Sequence, residues 1–145
     1  MNNIYQKSLS VFLYTIPLKA AIPFSYFLLY KYSFLKIILY LTFPIALIEK
    51  SLPFGGFFLF ILLYGGIVRN TKLPYFVRFN GCQALLLDIL VIIFSYFLKI
   101  FPLIEIGILL FILILAIFIF SVIQCINGIE PEIPFISRSA RMQIN

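Results

Sequence analysis

Residues 104–126 read IEIGILLFILILAIFIFSVIQCI, and within them Ile108–Phe120 carries no polar side chain at all. A helix rises about 1.5 Å per residue, so this stretch reaches across the roughly 30 Å hydrocarbon layer of a bilayer. Its surroundings are of the same kind. Of 145 residues 63% are hydrophobic and 11% charged, with a mean hydropathy of +1.14. Soluble domains are about half apolar and a quarter charged. A chain this short cannot bury the surplus in one core, so lipid must cover it, and lipid admits only backbones that satisfy their own hydrogen bonds. The fold class is therefore all-α: an integral membrane bundle forming one membrane domain, 1–145.

Three more stretches, Cys82–Phe101, Phe54–Val68 and Phe34–Ile48, have the same character. With their flanks the expected spans are 34–49, 53–69, 82–101 and 104–127, giving four transmembrane helices. Short turns at Glu49–Pro53 and Lys99–Leu103 predict two antiparallel hairpins. Pro44 should kink the first span by freeing the carbonyl of Tyr40. Gly55, Gly56, Gly65 and Gly66 offer places for close helix approach in the second. Ahead of the spans, Leu9–Tyr30 is apolar but carries Lys19 with Pro17 and Pro23. A central lysine costs roughly 2.5–3.5 kcal/mol on insertion scales. Residues 9–30 are accordingly read as short interfacial amphipathic helices lying along the membrane, a fifth span being the alternative. The first ten residues lack the pattern of a signal or transit peptide, so insertion is expected from the side of synthesis.

Charge orients the bundle. Basic residues number 11 against 5 acids. With four spans, Lys7, Lys19, Lys31, Lys36, Arg69, Lys72, Arg78, Arg138 and Arg141 share one face, and only Lys50 and Lys99 lie on the other. This asymmetry places both termini and the Arg69–Asn80 loop on the cytoplasm-like side. The excess charge is read as headgroup contact; no basic run points to nucleic acid.

The inventory for catalysis is thin. There is no His, no HExxH and no phosphate loop, and Asp88 is the chain's single Asp, so the reading is not an enzyme. Cys82 and Cys125 stand alone as packing residues, and neither a metal nor any other cofactor is expected. Asp88 is the sharpest residue, because a carboxylate two turns into a span must face the bundle, water or a partner. Gly81, Ala84, Asp88 and Ser95 follow helical spacing. With Gln83, Ser121 and Gln124 they form a candidate polar path or, equally, a packing surface. In the loop RNTKLPYFVRFN, residues 69–80, Tyr75, Phe76 and Phe79 read as interfacial anchors. Arg69, Asn70, Arg78 and Asn80 there, with Glu132 and Arg138 in the tail 128–145, are candidate contacts for headgroups or a partner. Gly128 and Pro131 end the last helix, and the tail, with Glu130, Glu132, Arg138 and Arg141, is expected to pair with that loop.

The block RNTKLPYFVRFNGCQALLLDIL, preceded by SLPFGG, and the ending EIPFISRSARMQ resemble the signature of the Tic-twenty family, the small multispanning subunit of the translocon at the inner envelope membrane of chloroplasts. The likeness covers the chain from about Leu9, and the chain is similar to the plastid-encoded form found in algae. It implies four spans, termini toward the stroma, and a role in moving precursor polypeptides alongside other translocon membrane subunits. It carries Arg69, Asn70, Phe76, Arg78, Phe79, Asn80, Gln83, Asp88, Glu132, Pro134 and Ser137 as motif positions without catalytic roles. Four short spans enclose too little polar surface for an extended polypeptide, so a conduit is expected between subunits. A structural or assembly subunit without conducting activity is the alternative, and a solute transporter is weakened by the lack of inverted repeats.

Overall fold

The computed structural model describes residues 2–145, and they are helical and connecting segments alone. The Asn3 side chain caps α1 (Ile4–Leu13) by accepting from the Gln6 amide at 2.9 Å. A one-residue break at Tyr14 leads into α2 (Thr15–Ala21), and Pro23 sits in the 3-10 turn Ile22–Phe24. Then follow α3 (Tyr26–Lys31), the 3-10 turn Ser33–Lys36, α4 (Ile37–Ser51) and α5 (Gly56–Leu63). A π turn over Tyr64–Val68 closes with Arg69 N donating to Tyr64 O at 2.9 Å. Pro74, extended at φ −57° and ψ 145°, starts the 26-residue α6 (Tyr75–Ile100). After Pro102, α7 (Ile104–Ile126) runs back, and the amphipathic α8 (Ile136–Ile144) closes the chain.

Among the described residues only α6 and α7 are by themselves long and apolar enough to cross a membrane; α4, with its preceding 3-10 turn, and α5, with the π turn after it, qualify as a pair. That pair bends by 101° at the break, as a broken span or re-entrant loop does. The antiparallel hairpin expected over 34–69 is thus an elbow. Its corner explains why: Phe54 and Gly55 both take positive φ, 58° and 48°, and Gly55 has ψ −116°, a backbone only glycine enters freely. Hydropathy alone measures the two apolar runs, and it cannot see the direction in which this corner sends the second.

The segment 9–30 is no peripheral attachment. The first two helices pack against both α6 and α7, and α2 also against α4. They supply the fully covered Leu13, Tyr14, Leu18 and Ala21 to the main core. The interfacial reading counted Lys19 as a lone charge, whereas Glu49 of α4 neutralises it. Phe76 and Phe79, expected at the headgroups, are buried because α6 begins at Tyr75 and places them against neighbouring helices. Gly65 and Gly66 approach nothing within 4 Å, whereas Gly56 comes close to Glu49, and a further close approach falls at Gly81, where a Cβ would lie 3.0 Å from Ile67 Cγ2.

Candidate functional site

The first half of α6 is the axis of a sealed polar core. Asn80 Oδ1 accepts from the Tyr14 hydroxyl at 2.8 Å and from the Cys125 thiol at 3.5 Å, while its amide donates to the Phe76 carbonyl at 2.8 Å. Three elements are thereby joined in an apolar interior, where an amide has value only if every polar atom finds a partner. One turn on, Gln83 ties down the tail. Its amide donates to Pro131 O at 2.9 Å, and its carbonyl accepts from the Ser137 hydroxyl at 2.8 Å. That hydroxyl also accepts from the Ile133 amide at 2.7 Å. Arg78 then holds two helix ends, donating to Val68 O at 3.0 Å and to Ile144 O at 3.2 Å, where a cation meets helix C-termini.

The second half of α6 faces a different environment. Lys19 and Glu49 form an ion pair on one wall of a cavity of about 140 Å³, and Asp88 lines the same cavity from α6. The cavity shares Gly56, Phe60 and Ile92 with a larger apolar crevice of about 590 Å³ between α5 and α6, which reaches Ser95, Tyr96 and Lys99. Asp88, Ser95 and Lys99 thus follow one another along one side of α6, seven and four residues apart, at the spacing of a single helix face. A Cβ on Gly56 would stand 2.9 Å from Glu49 Oε1, so a larger residue there makes the Glu49 carboxylate shift.

In the tail, Arg141 pairs with both Glu130 and Glu132 and lies over the Phe79 ring at 4.7 Å. The hydrogen bond from Arg141 holds the Glu132 carboxyl below the usual range, and Glu132 in turn raises the Arg141 guanidinium. The expected pairing of these acids with the loop 69–80 is replaced by pairing within the tail, which meets that region through Arg78 and Phe79 instead. Arg69 donates to the Tyr64 hydroxyl at 3.1 Å, and Asn70 accepts from the Lys72 amide at 3.1 Å, so both shape their own turn. Arg138 is exposed on α8 and forms no ion pair among the described residues.

The candidate polar path therefore divides. Gln83 and Ser121 are fully buried in the sealed core, Gln124 is half-buried, Asp88 lines the small cavity, and Ser95 lines the crevice beside it. Lys19 and Glu49 were missed as neighbours of Asp88; their one signal in the sequence is a pair of opposite charges inside or beside apolar stretches. Tyr14 gave no signal, since a tyrosine in a Phe- and Leu-rich segment resembles its neighbours.

The family model described as "Chloroplast import apparatus Tic20-like" matches residues 3–140. The chain belongs to the Tic20-like (Tic-twenty) family. A "Tic20 family protein" of Synechocystis is 34% identical over 93% of this chain and 90% of its own length. In Arabidopsis thaliana, "Protein TIC 20-v, chloroplastic" is 31% identical, covering 94% of this chain and 69% of that protein. "Protein TIC 20-II, chloroplastic" is 28% identical over 96% and 72%. As a Tic20-like protein of apolar helices, the chain is a membrane protein, and the match extends through both the sealed core and the crevice.

Proposed function

We propose that this Tic20-like chain is a subunit of a preprotein translocon in the plastid inner envelope membrane and contributes to its protein-conducting pathway. Its apolar segments form a four-part membrane core: α6 and α7 cross, and α4 and α5 enter and return as a broken pair. Both termini face the stroma. Two features support that orientation: the basic excess on one face, and the Asn2 side chain donating to Gly128 O at 3.0 Å, which brings the start of the chain to the end of α7.

The observation that carries the conducting role is the crevice lined by Ser95, which shares walls with the cavity that Asp88 lines, a polar strip on a surface otherwise fit for lipid. It lies on the flank of the bundle, while the interior is closed by the Tyr14, Asn80 and Gln83 hydrogen bonds. Any conduit is therefore lined jointly with other subunits and not bored through one copy. The test is a precursor arrested in transit with a photo-crosslinker at Ser95. Adducts to the precursor support a conducting role, and precursor bound to the complex without adducts there defeats it. A peptide-conducting pore reconstituted from strictly single copies would refute the shared conduit. The sealed interior favours a second reading, a structural or assembly subunit holding other membrane proteins together.

A further inference from the structure

The middle of α6 holds a charge that the fold leaves incomplete. Asp88 stands at the midpoint of Tyr75–Ile100 and forms no ion pair among the described residues. Its one basic neighbour in the cavity, Lys19, is committed to Glu49, so Asp88 has no cation of its own. A carboxylate at that depth demands a partner or water. Above it the crevice is apolar and unfilled, walled by Phe57, Phe60, Ile89 and Ile92. Its far wall is unusual, since α5 is held mainly through the π turn that follows it, and Phe57, Ile61 and Leu62 stay exposed.

From these observations we infer that the crevice between α5 and α6 seats a transmembrane helix of another membrane subunit, and that a lysine or arginine on that helix completes Asp88. The inference rests on the reading of this chain as one subunit of a membrane complex. Charge complementarity selects the occupant. A lipid tail would fill the apolar part and leave the carboxylate unmet. A second copy shares this chain's orientation, so it would bring Asp88 to the same depth as Asp88 and repel. A precursor in transit has no fixed residue to offer. A helix with one basic side chain satisfies both the apolar walls and the charge, as paired intramembrane charges do.

The test uses the intact complex in mild detergent, with a photo-crosslinker at Ile92 and the adducts mapped by mass spectrometry. The expected adduct is an apolar segment of a different polypeptide carrying Lys or Arg within a turn or two of the linked residue. Asp88→Asn should reduce that adduct several-fold while leaving thermal unfolding of the isolated chain unchanged. Asp88→Lys should abolish it, and the reciprocal change of the partner's basic residue to Asp should restore it. Placing the crosslinker at Ile89 and filling the crevice with Ile92→Trp should displace the same helix while leaving the charged trio intact, which keeps the test valid if an Asp88 variant misfolds. Adducts only to a second copy, only to lipid or only to precursor overturn the inference, as does an adduct indifferent to every substitution. Precursor adducts at Ser95 without a partner helix at Ile92 overturn this inference alone. A partner helix at Ile92 without precursor contact overturns the conducting role alone.

Discussion

The two halves of α6 share one backbone and one hydropathy, yet they face different worlds. From Phe76 to Leu87 most residues are buried, and the polar ones, Asn80 and Gln83, are fully covered. Beyond Val91 none is buried; Ile93, Tyr96 and Ile100 are exposed and the polar residues line a crevice. The first half is finished by this chain's own α1, α2, α8 and the π turn Tyr64–Val68, with Cys125 of α7 bonded to Asn80. The second is finished by whatever surrounds the chain. A single copy is thus a rigid plug at one end and an open surface at the other, which suits a subunit better than a self-contained channel.

The sharpest way to break this contrast is to attack the sealed half. Gln83→Leu removes its bonds to the Pro131 carbonyl and the Ser137 hydroxyl, leaving those two the 3.2 Å contact with each other, and each lost bond costs about 0.5–1.5 kcal/mol. Thermal unfolding in detergent should fall markedly, and limited proteolysis should release the tail after Gly128. A tail as protected as in the parent chain would mean that α8 is held by apolar packing alone.

Gly81→Ala comes next. Its Cβ would press on Ile67 at 3.0 Å, and overpacking of this kind costs about 1–3 kcal/mol. Gly65→Ala, with nothing within 4 Å, meets no such wall and should leave unfolding unchanged. Equal losses at the two positions would erase the distinction between glycines that pack and glycines that merely turn.

In the open half, Phe57→Ala and Ser95→Ala remove side chains that nothing in the chain needs, so stability should move by no more than about 0.5 kcal/mol. A larger loss would show that α5 closes on α6 in solution. The smallest effect belongs to the surface of the tail. Arg141 holds Glu132 below its ordinary value of 4.5, so that pair contributes above this value and its contribution fades as pH falls through the lowered one. Because the pair is exposed, the change should be slight, read as faster tail proteolysis in acid and absent in Glu132→Gln.

Much of this was legible beforehand. The run Ile108–Phe120 announced a membrane helix because no other solvent accepts it, whereas the span expected from Cys82 begins a full two turns earlier, at Tyr75 after Pro74. The loss lay where the answer depends on pairs distant in the chain. Lys19 looked too costly for a bundle interior until Glu49, thirty residues on, was found beside it. Phe76 and Phe79 looked like headgroup anchors because their flanking Arg78 is basic, yet that guanidinium is spent on two helix ends.

By itself the amino-acid sequence determined the solvent and the helical class, and it singled out Asp88 as the chain's single Asp, set in an apolar stretch. Those follow from the composition of each segment, since lipid acts on every residue independently. Tertiary structure alone decided which polar residues are sealed and which stay open, that the second and third apolar runs meet in an elbow, and that the first segment builds the core. These depend on which side chains meet across the bundle, and a hydrogen bond or an ion pair exists only once both partners have been brought together.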